Sequence, residues 1–168
     1  STGSVTIGGT GLSSSTSTVS VTTGTNGTIQ VNSAVSGNSN VLLATGSNGL
    51  VAIAENVSST NGSVTLTSGT TASNSVTVNA SKQVTAATAL FVNTPNLVNN
   101  GTLQAGSQDL TIQGTGAANA LVVNLGLGSI VRSTGANVNF NTTANKGAIT
   151  MTGGNGDISA GGATPVVV

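Results

Sequence analysis

Six times in this chain a glycine opens the same short phrase, Gly-x-φ-x-φ, in which φ is apolar. The copies are Gly27 to Val31, Gly49 to Ile53, Gly62 to Leu66, Gly101 to Ala105, Gly147 to Met151 and Gly156 to Ala160. Asn26, Asn48, Asn61, Asn100 and Asn155 stand directly before five of these glycines. Apolar residues at every second position give a strand with one buried face, and Asn-Gly supplies turn residues that tolerate left-handed backbone. A chain that repeats one strand unit is constrained to stack its copies, so extended β structure is expected and helix is nearly excluded.

A second series of alternating apolar triplets lies between these phrases: Val41 to Leu43, Val76 to Val78, Leu110 to Ile112, Leu121 to Val123 and Val138 to Phe140, with Val5 to Ile7 and Val19 to Val21 near the start. Two topologies share this strand list. In a parallel β-solenoid each coil holds two or three short strands, and every strand pairs with its equivalent one coil above and below. At roughly 22 residues per coil and about 4.8 Å per step, the chain makes seven or eight degenerate coils and a rod of about 35 Å. In the alternative, Asn-Gly pairs close hairpins of an antiparallel β-sandwich, and a terminal strand is donated between subunits. Most triplets are separated from the Asn-Gly pairs by further Ser, Thr or Gly, which would leave the hairpin register loose. The solenoid is therefore preferred.

Composition supports a thin interior. Phe91 and Phe140 are the only aromatic residues, with no Trp or Tyr, so Val, Ile, Leu and Ala must fill the core. Such side chains suit a narrow filling better than the roughly 10 Å gap of a sandwich. The stretch 80–96, with Lys82, an Ala-Thr run and Pro95, departs from the pattern and is expected to be an irregular coil or insertion, with Phe91 covering the side of the stack. Charged residues make up 4% of the chain and the formal net charge is zero. Without a basic patch there is nothing to displace counterions from a phosphate backbone or to hold anionic lipid, so nucleic acid is not an expected partner. No apolar run approaches the roughly 18 residues that span a bilayer, so direct membrane insertion is not expected either.

Leu97-Val98-Asn99-Asn100-Gly101-Thr102-Leu103-Gln104-Ala105-Gly106, followed by Asp109 to Gln113, resembles the repeat of filamentous haemagglutinin-type proteins, the long surface adhesins and fibre proteins of bacteria. Lys146 to Met151 with Gly156 to Ala160 reads the same way. The resemblance covers about Asn26 to Ala160 and implies a right-handed parallel β-helix, export, and a role as a stalk, fibre or adhesive surface. The family's amino-terminal secretion module is missing from it. The expectation is one solenoid segment over 1–168, part of a longer extracellular fibre or cell-surface protein.

Chemistry-bearing motifs are few. With no His and no Cys, neither Ser/His/Asp nor Cys/His catalysis can be assembled, and no disulfide or thiolate metal site is possible. Glu55, Asp109 and Asp157 could in principle supply a carboxylate pair of the kind carbohydrate-active β-helices use, but as isolated residues on turns they are expected to be solvated. Gly153 to Ile158 approximates a calcium-binding nonapeptide with its aspartate one position early and without a tandem array, so a glycine turn is the better reading. A Lys to Asn isopeptide through Lys82 or Lys146 is chemically open. No catalytic, cofactor or metal residue is assigned, and an enzyme is not expected.

What remains is structural: turn positions at Asn26-Gly27, Asn48-Gly49, Asn61-Gly62, Asn100-Gly101, Gly147 and Gly156, and a candidate assembly strand at Val166, Val167 and Val168. The expected partners are further copies of the chain in a filament or bundle, with host-cell or environmental carbohydrate or protein as a second class.

Overall fold

The computed structural model describes residues 3–141, 147–153 and 156–161. These form a parallel β-solenoid with three faces. Sheet A contains β1 (Val5–Ile7), β4 (Ile29–Val31), β7 (Val51–Ile53), β10 (Ser75–Val78), β13 (Asn96–Asn99), β16 (Leu121–Leu125) and β19 (Ile149–Thr152), in that order. Sheet B stacks β2 (Leu12–Ser14), β5 (Val35–Gly37), β8 (Val57–Ser59), β11 (Gln83–Ala86), β14 (Thr102–Ala105), β17 (Ile130–Ser133) and β20 (Asp157–Ala160). Sheet C holds β3 (Val19–Thr22), β6 (Val41–Ala44), β9 (Val64–Thr67), β12 (Leu90–Asn93), β15 (Leu110–Gln113) and β18 (Val138–Phe140). Every third strand pairs, and the pairing is parallel throughout, from Val5 against Ile29 to Val131 against Ile158. Parallel ladders cannot be made by hairpins, so the antiparallel sandwich alternative is overturned.

Of the six glycine-led phrases only those opening β4 and β7 stack directly on one another. Three open strands of sheet A (β4, β7, β19), two open strands of sheet B (β14, β20) and one opens β9 of sheet C. The repeat in the sequence is thus a corner-plus-strand unit used at any of the three corners, which explains its uneven spacing. Coil length varies accordingly: Ile29 pairs with Val51, 22 residues on, whereas Val84 pairs with Leu103 after 19 and Leu103 with Val131 after 28. Longer coils late in the chain leave six complete coils and two strands of a seventh among the described residues, against the seven or eight expected over the whole chain from a uniform 22. Six steps of about 4.8 Å give this part a length of about 29 Å.

Alternation places the apolar positions inside. Val19, Val41, Val64, Leu90, Leu110 and Val138 form one column of sheet C, and Leu43, Leu66, Val92, Ile112 and Phe140 run alongside it; all of these are buried. Phe140 is the largest fully buried side chain. Each buried Val or Leu contributes roughly 1.5–3 kcal/mol relative to exposure, and apart from Phe140 the columns are filled by aliphatic side chains.

Sheet B differs. Its second inward position reads Ser14, Gly37, Ser59, Ala86, Ala105, Ser133 and Ala160 down the stack. Small residues let the chain turn sharply from sheet B to sheet C, and three of the serines tie that turn by accepting from a backbone N–H three residues on: Ser17 to Ser14 (3.1 Å), Gly62 to Ser59 (2.9 Å) and Ala136 to Ser133 (3.0 Å). Ser133 also donates to the Gln108 carbonyl of the coil below at 2.8 Å. Ser133→Ala should lower stability by about 1 kcal/mol in urea unfolding, because it removes two part-buried hydrogen bonds made by a buried hydroxyl; Ser13→Ala, on the outward face, should leave the midpoint in place.

The stretch 80–96 is not the irregular part. It contains β11, β12 and the first residue of β13, all in register with their neighbours on both sides. Its Ala87-Thr88-Ala89 segment is the B to C corner, made without the Gly and Asn that mark most other corners. Irregularity lies instead at the C to A corner, in segments 68–74 and 114–120. The second of these makes a short 3-10 turn with left-handed Ala118 and Asn119, and Thr115 Oγ1 reaches back two coils to donate to the Gly69 carbonyl at 3.1 Å.

Candidate functional site

The predicted turn residues all fall at corners, for a reason other than the one the sequence suggested. None of Asn26, Asn48, Asn61, Asn100, Gly27, Gly49, Gly62, Gly101, Gly147 or Gly156 has positive φ; among the described residues left-handed backbone occurs at Ser81, Ala118, Asn119 and Asn141 and at Gly9, Gly11, Gly128 and Gly153. The phrase glycines are required by the coil below. A Cβ on Gly49 would fall well inside contact distance of the Gly27 carbonyl oxygen and of Thr45 Cβ, and one on Gly147 would collide with the Asn119 carbonyl. Gly62 meets Ser39 in the same way, Gly101 meets Lys82, and Gly156 meets Leu125 and Ser129.

The asparagines bond between coils. Asn48 Nδ2 donates to Asn26 Oδ1 at 2.8 Å, and Asn61 Nδ2 donates to Asn38 Oδ1 at 2.6 Å. Asn93 and Gln113 continue the pattern on sheet C, with Gln113 Nε2 donating to Asn93 Oδ1 at 2.8 Å. One member was not foreseen. Asn99 points into the core, fully buried, donating through Nδ2 to the Ile130 carbonyl (3.1 Å) and accepting from the Gly101 N–H through Oδ1 (3.2 Å). Val166, Val167 and Val168 lie outside the described residues, as do Asn155, Lys146 and part of the glycine run before Asp157.

The carboxylates are dispersed. Glu55 follows β7 in the third coil, Asp109 precedes β15 in the fifth, and Asp157 opens β20 in the seventh. Glu55 and Asp157 flank strands of sheet B four steps apart, about 19 Å along the stack, beyond the roughly 5–9.5 Å that paired-carboxylate hydrolysis uses. Glu55 is held by Lys82 at 2.8 Å, an ion pair between half-exposed side chains of adjacent coils and so a minor contribution to stability. Arg132 Nε donates to Gln104 Oε1 at 2.8 Å. Among the described residues no group of three His, Cys, Asp or Glu is placed to hold a metal, and no helix is long and apolar enough to cross a membrane.

Among the described residues, recesses interrupt the walls of sheets A and C. On sheet A the segments 68–74 and 114–120 rise on either side of a hollow of about 450 Å³ floored by Pro95, Asn96 and Val122. On sheet C a shallower cleft of about 400 Å³ lies between Phe91, Gln108 and Asp109, over Ala89 and Thr111. Phe91 is outward-facing and 37% exposed. Asp109 Oδ1 accepts from the Asn137 N–H and its Oδ2 from Asn139 Nδ2, each at 3.0 Å, so the coil above fixes the carboxylate.

The class that this architecture defines is the three-faced parallel β-solenoid. No protein-family model, curated protein or solved structure matches the chain.

Proposed function

We propose that the chain is a non-catalytic structural and adhesive segment of an extracellular fibre or surface stalk that associates side by side with further copies of itself. The observation that carries this reading is the outer face of sheet A. None of its seven strands contains a charged residue, while Leu50, Ala52, Val98 and Val122 are at least partly open to solvent along it. The described charges are confined to the corners and to sheet B. An uncharged wall of this kind offers no electrostatic repulsion to a second copy, and the apolar side chains spaced among Ser, Thr and Asn along it add apolar area to such a contact. The backbone ladders along the rod axis and the Asn pairs between coils supply the mechanical continuity a fibre requires.

Sedimentation tests it. The chain should associate increasingly as concentration rises, and the double variant Leu50→Lys with Val122→Lys should stay monomeric with an unchanged unfolding midpoint, since both side chains lie outside the core. A native chain that remains monomeric at high concentration, or a double variant that associates as before, would overturn the proposal.

A further inference from the structure

We propose that the cleft on sheet C is a binding site for a neutral saccharide of one or two rings, with the apolar face of one ring on Phe91 and its hydroxyls on Asp109 and Gln108. This rests on the adhesive part of the reading above and names its ligand class.

The chain has two aromatic rings, and it places them oppositely: Phe140 in the core, Phe91 outside. In the outward lane of sheet C, Phe91 stands between Thr65 and Thr111, where neighbouring positions are short or polar. Phe91 keeps 37% of its surface open to solvent in this lane, so the free part of its ring is available to a contact partner outside the chain. The negative face of the ring meets the weakly positive C–H groups on the apolar side of a sugar.

The same cleft holds the polar groups such a ligand requires. Asp109 uses two of the roughly four acceptor positions of a carboxylate on Asn137 and Asn139, leaving acceptors for ligand hydroxyls. Because those two bonds fix its orientation beforehand, little ordering remains to be done on binding. The Gln108 carboxamide is exposed and makes no side-chain hydrogen bond within the described residues, so it offers both a donor and an acceptor. An organic ammonium could also use Phe91 and Asp109, but it carries no acceptor for the Gln108 donor, whereas a hydroxyl is donor and acceptor together. The volume, about 400 Å³, is near the lower end of ligand clefts, roughly 300–1,000 Å³, which suits one or two rings. A shallow site of this kind binds weakly alone, and many copies along a fibre would raise the avidity by about 10²–10⁴.

The test is an amide-shift titration of the full chain with methyl glycosides of glucose, galactose, mannose and N-acetylglucosamine, with tetramethylammonium chloride as the ammonium probe. At least one glycoside should shift the amides of Phe91, Gln108 and Thr111. Phe91→Ala and Asp109→Asn should each weaken that binding by about tenfold or more, and Phe91→Trp should retain it, which a merely structural role for the ring would not predict. Shifts confined to other faces, no shift with any glycoside, binding unaffected by Phe91→Ala, or a response to tetramethylammonium alone would each overturn the site. Adhesion to glycan-coated or cell surfaces separates the two claims. A chain that adheres equally well as Phe91→Ala has another adhesive surface and lacks this site; one that titrates glycosides at Phe91 but adheres to nothing keeps the site and loses the adhesive role.

Discussion

Leu66→Asp should abolish the cooperative unfolding transition of the native chain, whereas Thr65→Asp, one residue away, should shift it by no more than about 0.5 kcal/mol. Leu66 is fully buried in β9, between Leu43 of the coil below and Val92 of the coil above. Truncating such a residue to Ala costs about 2–5 kcal/mol through lost transfer energy and the cavity left behind. Aspartate adds the desolvation of a charge with no cation beside it in an aliphatic column, a further several kcal/mol. Against a total stability of about 5–15 kcal/mol for a domain, that sum removes the third coil, and a solenoid in which each coil touches only its neighbours then splits in two. Thr65 occupies the outward lane beside Leu42 and Phe91, where a carboxylate stays hydrated. Circular dichroism with urea reads both variants, and equal losses in the two would mean that inside and outside have been assigned wrongly.

A side chain at Gly49 should be nearly as damaging. The Cβ of Gly49→Val would fall on the Gly27 carbonyl of the corner beneath and on Thr45 Cβ of its own corner, so the coils must separate locally and the Asn48 to Asn26 bond is lost with them. Overpacking of this sort costs about 3 kcal/mol or more when the neighbour is backbone. Gly8→Ala is the matching control, since nothing lies within 4 Å of a Cβ there; it should be neutral or slightly stabilising through the unfolded chain. Hydrogen exchange should show the loss of protection centred on β4 and β7 in the Gly49 variant and no change in the control.

Much of this architecture can be read from residue order, and the places where it cannot have physical causes. Strands of sheets A and C whose two inward positions are both large, such as Val41 and Leu43 or Val76 and Val78, announce themselves by alternation. The early strands of sheet B do not: Val35-Ser36-Gly37 and Val57-Ser58-Ser59 carry a small second inward residue that the tight B to C corner demands, so the eye sees only a polar loop. The same corner made of Ala87-Thr88-Ala89 lacks turn residues altogether, which is why 80–96 looks irregular although its strands are in register. Asn-Gly identifies the corners correctly but suggests left-handed backbone, whereas the structure uses glycine for close approach between coils. The sheet C cleft was the least visible feature. Phe91 and Asp109 are 18 residues apart in the chain and come together only because this coil is a short one, pairing Leu90 with Leu110.

The central claim is that successive coils lie in parallel register, and a cysteine-free chain allows it to be tested without background. Ser36 and Ser58 are paired on the outward face of sheet B with their hydroxyls 3.3 Å apart, and the expected Cα separation of about 4.8 Å lies within the disulfide range. The double variant Ser36→Cys with Ser58→Cys should close quantitatively to an intramolecular disulfide under mild oxidation, read by mass, while Ser36→Cys with Thr85→Cys, two coils apart at about 9.6 Å, should not. Failure of the first pair to close, or equal closure of the second, would contradict the stacked-coil structure.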